Sequence, residues 1–344
     1  MGRVSSVIAG SRRLVTPAIA SAVPTAVPAG PGMPRLLGLG LLAAALFSVT
    51  FVLNRSMSLA GGHWAWSAAL RYVDMAVLLM LWIALRHGPV RLLAVLRLFR
   101  LQSRLWLLAG GIGFGVFYTG ICYAASHAPG WIVAASWQMT ILATPLVMAG
   151  FGARVPLRGM AFCGIIVLGI LVLNAQRIAE GVAMAEVLTG VLPVLVAAFA
   201  YPFGNQIVNR LRHAGGDAAD LLADPAAAVL LLTLGALPLF AGLILLTAPP
   251  PPGTGQLIST GIVALVAGGL ATPLFLYARN LSSDPLRIAA VDATQAGEVG
   301  FALLGEMALL GATAPDPVGW LGLLAVMGGL AGFMLRGAAP EGKA

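Results

Sequence analysis

The sequence predicts an all-helical membrane protein in which ten transmembrane helices form two inverted five-helix repeats, with both termini in the cytoplasm. Three observations support this fold class: the composition, the number of long apolar runs and the positions of the basic residues. Of the 344 residues, 59% are hydrophobic and only 9% are charged. Water-soluble domains carry about 25% charged residues, so this chain has too few charges to cover a surface in water.

Long apolar runs give the number of helices. A bilayer core is crossed by about 20 apolar residues in a helix, because hydrocarbon offers no hydrogen-bond partner to a free backbone group. Such runs occur ten times, and the linkers between them are too short for a sizeable soluble domain. They cover about residues 36–54, 64–85, 105–125, 131–150, 157–173, 186–207, 226–247, 258–278, 286–308 and 318–335.

The basic residues give the orientation. If the N-terminus is cytoplasmic, 17 of the 20 Lys and Arg residues fall in cytoplasmic segments, as the positive-inside rule requires. Arg55 and Arg177 fall on the opposite side, and Arg71 lies inside the second span. The net charge of +8 therefore reflects membrane orientation, and we expect no nucleic-acid partner.

The two ends of the chain differ from the middle. Residues 1–34 are rich in Ser, Pro, Ala and Gly and lack the clean apolar core of a signal peptide. Two interpretations stay open: this segment is a disordered cytoplasmic tail, or translation starts at Met33. We expect the first repeat over residues 35–173, the second over 186–335 and a cytoplasmic tail over 336–344.

Short matches between the halves support a duplication. The pair Asn54-Arg55 recurs as Asn209-Arg210 after 155 residues, and Tyr123-Ala124 recurs as Tyr277-Ala278 after 154. Because five is an odd number, the two halves must enter the membrane from opposite sides. Inverted repeats of this kind are common in secondary transporters, where substrate binds near the midplane between the repeats. Channels and membrane enzymes can also be duplicated.

Polar residues inside the spans are concentrated in the ninth. At about 100° per residue, Asp292, Gln295, Glu298 and Glu306 fall within a ~120° arc of one helix face. Glu298 lies ~18 Å along the axis from Leu286, close to the predicted midplane. Ionisable residues at that depth are costly and therefore candidates for function.

The depth of each acidic residue decides its predicted role. Glu298 is the leading candidate for coupling protons to substrate, because desolvation penalises its ionised form and its charge would attract a cation. Asp292, nearer the cytoplasm, is the second candidate. Glu306, near the outer interface, is predicted to be a gating or structural residue. One alternative is that Glu298 or Asp292 merely pairs with Arg71, and another is that it caps packing between helices.

Other polar and aromatic side chains in the spans could form the walls of a cavity, since small-molecule sites combine aromatic surface with few polar anchors. Hydrogen bonding between helices is the competing interpretation, and Arg71 could pair with Asp74 three residues later. The predicted substrate-binding residues are Gln295, Arg71, Tyr72, Trp137, Gln138, Tyr201 and Asn205. The predicted gating or structural residues are Asn54, Arg55, Asp74 and Glu306.

Nothing in the sequence indicates an enzyme. There is no catalytic triad, no Walker motif and no zinc-ligand spacing, so we expect no cofactor and no metal. Cys122 and Cys163 fall inside predicted spans and are interpreted as small packing residues.

Three segments carry a family resemblance: Phe47–Met57, Ala198–Asn205 and Ala290–Glu306. They resemble the multidrug resistance efflux transporter family of the drug/metabolite transporter superfamily, which is EamA-like, and the similarity runs from about residue 35 to 335. The resemblance implies a ten-helix, inverted-repeat fold in the cytoplasmic membrane and efflux driven by an ion gradient. Small four-helix relatives couple drug and proton at a glutamate in their first helix. The first span here has no acidic residue, so coupling would fall to the ninth-span acids.

The predicted function is proton-coupled efflux of small amphipathic or cationic compounds across the cytoplasmic (inner) membrane. The expected partners are a small-molecule substrate, protons and the lipid bilayer, and both a monomer and a homodimer are compatible with the duplication. Two alternatives stay open. One is an exporter of amino acids or nucleosides with the same fold. The other is a non-transporting scaffold or lipid-handling membrane protein.

Overall fold

The computed structural model describes residues 32–152, 160–213 and 215–337, and these residues form helices and short connections without any strand. Most of the predicted N-terminal tail, and all but the first two residues of the predicted C-terminal tail, lie outside this range. Arg154 and Arg158, which supported the predicted orientation, lie outside it as well.

Nine helices of the described residues are long and apolar enough to cross a membrane. This confirms an all-helical chain with multiple candidate spans, and each of the nine overlaps one predicted run. They are α1 (Met33–Leu59), α2 (Trp64–His87), α4 (Ser103–Ala125), α5 (Gly130–Gly150), α6 (Met160–Ala179), α7 (Met184–His213), α9 (Pro225–Thr247), α10 (Thr254–Asn280) and α12 (Pro317–Gly337, apolar over Pro317–Leu335).

The remaining predicted span corresponds to α11, a helical segment over residues 285–310. It consists of Pro285–Ala293, a 3-10 turn at Thr294–Ala296, and Gly297–Leu310. This segment is interrupted and carries three acidic residues, and it is not one of the nine. Ten spans, the inverted repeat and the cytoplasmic termini therefore stay predictions.

Two further helices lie in segments that the sequence analysis treated as linkers. The helices α3 (Pro89–Leu101) and α8 (Asp217–Leu222) are both too short to cross a bilayer, and α8 has only six residues. In α3, Val95 and Leu98 are buried while Val90 and Leu93 are exposed beside three arginines. That composition is typical of a helix lying along a membrane interface.

The helices in the middle of the molecule approach each other closely at glycines. A Cβ added to Gly204 of α7 would lie 2.5 Å from the Cα of Gly113 of α4 and 2.6 Å from the carbonyl oxygen of Ala109. No side chain fits there, so the two backbones are in direct contact. This contact brings Phe114, the residue after Gly113, near Tyr201, one turn before Gly204.

Both α4 and α10 contain a π-helical segment, Gly111–Val116 in the first and Ala264–Ala271 in the second. The two segments begin 153 residues apart, close to the 154–155 residue offset of the sequence matches. π-Helical turns are frequent at functional sites because the extra residue re-aims the side chains. In α4 the turn contains Phe114, which belongs to the aromatic cluster described below.

Candidate functional site

Glu298 lies at the interruption of α11, in the first turn after the 3-10 segment. The residue is 9% exposed, and the side-chain amide of Gln138 hydrogen-bonds its carboxylate. Among the residues that the structure describes, no basic side chain forms an ion pair with it. Glu298 is thus a buried carboxyl whose side-chain partner is a neutral amide.

Gln138 lies at a second interruption, where α5 turns between Gly130–Trp137 and Thr140–Gly150. Its Nε2 also lies 3.3 Å from the carbonyl oxygen of Ala134. Two broken helices therefore meet at Glu298 and Gln138. Discontinuous helices leave backbone groups available for ligands and are typical of binding sites in secondary transporters.

Glu306, two turns after Glu298, has different surroundings. Its Oε1 accepts the backbone N–H of Gly130 at 2.6 Å, and the N–H of Trp131 also donates to the carboxylate. These are free N–H groups of the first turn of α5, so Glu306 caps that helix from a neighbouring one. Arg55 lies near enough to interact with it electrostatically.

Asp292 lies before the interruption, and its Oδ1 is 2.8 Å from Nε of Arg279 on α10. Neither Asp292 nor Glu298 is paired with Arg71, so that alternative is wrong for the described residues. The Nε2 of Gln295 is buried and has no hydrogen-bond partner within the described part of the chain.

Six aromatic side chains from four helices pack together near Gln138, and we call them the aromatic cluster. They are Tyr72 of α2, Phe114, Phe117 and Tyr118 of α4, Trp137 of α5 and Tyr201 of α7. The centroid of the Phe117 ring lies 4.8 Å from that of Trp137 and 5.0 Å from that of Tyr201. Trp137 directly precedes Gln138, and Tyr72 and Tyr118 of the cluster belong to the same apolar core as Val299, the residue after Glu298.

Arg71 lies against this cluster. Its Cζ is 4.0 Å from the centroid of the Tyr118 ring and 5.4 Å from that of Tyr72. Asp74 is not paired with it: the carboxyl of Asp74 interacts instead with the side chain of Thr260 on α10. The ion pair that the spacing of Arg71 and Asp74 suggested is absent from the described residues.

Asn54 and Arg55 are adjacent in sequence but lie in different surroundings. Nδ2 of Asn54 donates to the hydroxyl of Tyr118 at 3.0 Å, so Asn54 joins the aromatic cluster. Arg55 donates to the carbonyl oxygen of Ala125 at 3.0 Å and lines a cavity of about 360 Å³ with Arg177 and other residues. That cavity, which also contains Glu186, lies at the end of the helices where Glu306 caps α5.

Some predicted site residues stay apart, and some residues of the cluster were missed. Nδ2 of Asn205 donates to the carbonyl oxygen of Tyr201 within its own helix, and Asn205 is not part of the ring contacts. Phe114, Phe117 and Tyr118 were not predicted as site residues. Their i, i+3, i+4 spacing places them on one face of α4, which was the available signal.

No group of three or more potential metal ligands occurs in the described ranges.

A family model named EmrE, described as "Putative multidrug resistance efflux transporter", matches residues 34–338. The chain belongs to this family. Among its relatives is "Uncharacterized protein YjlA" of Bacillus subtilis (strain 168), 36% identical over 314 residues, which are 86% of this chain and 93% of the relative. Another is "Uncharacterized 42.1 kDa protein in intracellular alkaline protease 3'region" of Shouchella clausii, 35% identical over 277 residues, with 76% of this chain and 69% of the relative covered.

A solved structure described as "Crystal structure of protein" has the same fold, with a TM-score of 0.56 and 16% identity over 87% of this chain and 96% of the other. At that identity the match is informative about the fold alone. Membership of the EmrE family supports a multi-pass membrane transporter with a small-molecule substrate. The names of the two relatives state no activity, so these two matches support the family and nothing about a substrate.

Proposed function

We propose that this EmrE-family protein is a proton-coupled secondary transporter that exports small amphipathic compounds, including cations, across the cytoplasmic membrane. One observation carries the proposal: Glu298 is buried at a helix interruption near the aromatic cluster, and within the described residues its carboxylate is bonded by the neutral amide of Gln138 without a basic partner. Asp292, on the same helix and paired with Arg279, is proposed as a second proton-binding group toward the cytoplasm.

The physical argument rests on charge compensation. An ionised carboxylate in apolar surroundings without a cationic partner is costly. Glu298 is therefore stabilised by binding either a proton or a positively charged group of a substrate. Competition between these two ligands for one carboxylate is a sufficient basis for antiport. The rings of Phe117, Trp137 and Tyr201 offer an apolar surface for the body of the substrate next to it.

The experiment is transport in proteoliposomes under an imposed pH gradient, with tetraphenylphosphonium as the probe. The full-length protein should drive accumulation of the probe, and Glu298→Gln should abolish the accumulation. Asp220→Asn, which changes an exposed acid on α8, is the control and should transport like the wild type. Full gradient-driven transport by Glu298→Gln would contradict the proposed role. No proton-dependent movement by any variant would favour a scaffold or lipid-handling protein.

The inverted repeat belongs to the same proposal. The π-helical segments of α4 and α10 support two related halves over residues 35–173 and 186–335. We propose in addition that α11 is the tenth span and that both termini are cytoplasmic. Reporter tags at each terminus should both be accessible from the cytoplasm. A tag that is accessible only from outside would contradict this orientation.

A second candidate function is export of a metabolite such as an amino acid. The observation that favours it is the position of Arg71, a guanidinium beside the aromatic cluster with no acidic partner.

A further inference from the structure

Arg71 lies inside α2 against the aromatic cluster, and none of the ion pairs found among the described residues includes it. It lies against the rings of the buried residues Tyr72 and Tyr118 and is itself half-buried, so part of the residue is accessible. Tyr201, which interacts electrostatically with Arg71, is 37% exposed. Arg71 and Tyr201 of the aromatic cluster are thus both accessible in part, as residues that contact a ligand must be.

The guanidinium has unused hydrogen-bond donors. Its Nε and Nη1 are both enclosed and have no hydrogen-bond partner within the described residues. Arginine carries five N–H donors in a planar fork and has no acceptor. The hydroxyl of Tyr118 is a partner for one of them, and a ligand that brings acceptors would satisfy others. Buried donors without partners are unfavourable, and they are most unfavourable where water is scarce.

Among the described residues, no carboxylate forms an ion pair with Arg71. The residues that interact with it electrostatically are Tyr118, Tyr72 and Cys122, which are phenols and a thiol. Stacking on Tyr118 compensates the charge only in part, because a cation–π contact is weaker than an ion pair.

Other arginines of the protein are placed differently. Arg55 and Arg177 donate to backbone carbonyl oxygens, and Arg279 lies beside Asp292. Arg71 differs from all three because Nε and Nη1 of its fork have no acceptor within the described residues.

We propose that Arg71 is a carboxylate-binding subsite beside the aromatic cluster, and that the amphipathic substrates of this protein include aromatic carboxylates and zwitterions besides cations. A carboxylate matches the planar guanidinium fork with two parallel hydrogen bonds. The aromatic body of such a ligand would stack on the cluster, and an amino group, where present, would be directed to Glu298. This inference rests on the proposed transport function and specifies its substrate class.

The test is calorimetric binding to the purified full-length protein in detergent, with indole-3-propionate, its neutral isostere indole-3-propionamide, and tryptamine as probes. A charge-assisted, bidentate contact should make the wild type bind the acid about tenfold to hundredfold more tightly than the amide. Arg71→Gln should bind acid and amide equally and should bind tryptamine at least as well as the wild type. Arg86→Gln, which changes an exposed arginine on the same helix, is the control and should keep the preference.

The test can contradict the proposal even if the Arg71→Gln variant does not fold. The preference for acid over amide is measured first on the wild type, and equal affinities, or no binding of the acid, overturn the proposal. If Arg71→Gln does not fold, Arg71→Lys keeps the charge without the fork and should show a smaller preference. An unchanged preference in either variant also overturns the proposal, because a purely structural arginine would not affect it.

The result is separable from the proposed transport function. Gradient-driven transport of tetraphenylphosphonium without acid-selective binding would support the proposed transport function and contradict the carboxylate-binding role of Arg71. Acid-selective, Arg71-dependent binding without gradient-driven transport would keep the subsite and contradict proton coupling.

Discussion

Glu298 and Glu306 lie eight residues apart on α11, and both are buried. The carboxylate of Glu306 accepts two backbone N–H groups of α5 and has Arg55 nearby. The carboxylate of Glu298 is bonded by one neutral amide, that of Gln138. Both contacts join α11 to α5, one at the beginning of α5 and the other at its interruption.

The difference teaches that burial alone does not identify a functional acid. The carboxyl oxygens of Glu306 accept fixed N–H groups and have an arginine nearby, so this side chain is part of the packed structure. No basic residue among those described pairs with Glu298, so its carboxylate is available to a proton or a substrate. Changing Glu306 should therefore affect stability, and changing Glu298 should affect coupling.

The largest expected loss of stability follows Glu306→Ala. The backbone N–H groups of Gly130 and Trp131 would lose their acceptor, at about 1–3 kcal/mol for each buried donor left unpaired. Thermal unfolding in detergent should show a clearly lower Tm, and Glu306→Gln, which keeps an acceptor oxygen, should lose less. A Tm of Glu306→Ala equal to that of the wild type would show that the cap does not matter.

Gly204→Ala should cause the next largest loss, because its new Cβ would lie 2.5 Å from the Cα of Gly113. Forcing extra atoms into a packed contact costs about 1–3 kcal/mol. The displacement would also separate Phe114 from Tyr201, so binding to the aromatic cluster should weaken. Gly164→Ala is the matched control, since nothing lies within 4 Å of the added Cβ, and its Tm should not fall.

Arg279→Gln should have a smaller effect. The pair with Asp292 is partly exposed, and such ion pairs contribute about 0–1 kcal/mol. The loss should shrink further at high salt, which chemical unfolding at two ionic strengths can measure. A loss as large as that of Glu306→Ala would mean that the pair is far less accessible to solvent than the structure indicates.

His63, in the connection between α1 and α2, provides a small pH-dependent effect unrelated to either glutamate. Its Nδ1 accepts the backbone N–H of Ala65 at 3.2 Å, and burial lowers the pKa of the imidazole. The folded protein then binds a proton at this residue less readily than the unfolded chain does. Stability from this cap should be present above about pH 6.5 and decrease as the pH falls.

His63→Asn keeps a capping side chain and should reduce this pH dependence of the Tm. An unchanged pH profile would assign the effect to other groups.

The smallest change in stability is expected for Glu298→Gln. The substituted amide has the shape of the carboxyl and can still bond Gln138. The free energy of unfolding should therefore stay within about 0.5 kcal/mol of that of the wild type, as for a neutral substitution, and the Tm should hardly change. A large fall in Tm would show that Glu298 has a structural role similar to that of Glu306.

Much of the fold could be predicted, because apolar runs of spanning length have one physical interpretation. The acidic face of α11 was predictable for the same reason, since charge in a span is rare enough to be noticed. The helix α3 was missed because 13 residues with three arginines match the pattern of a loop as well as that of an interfacial helix.

The partners of each side chain could not be predicted. Asn54 bonds Tyr118, 64 positions away, and Glu306 caps a helix that begins 176 positions earlier. Such contacts depend on which helices are neighbours, and one sequence does not contain that information. Phe114 and Phe117 were missed because aromatic residues in an apolar span look like ordinary packing residues.

The most direct test of the account is proton release on substrate binding by the purified protein in a lightly buffered detergent solution. Addition of tetraphenylphosphonium should release protons from the wild type, and Glu306→Gln, where folded, should still release them. Glu298→Gln should release none. Undiminished release from Glu298→Gln would contradict the central claim that substrate and proton compete for this carboxylate.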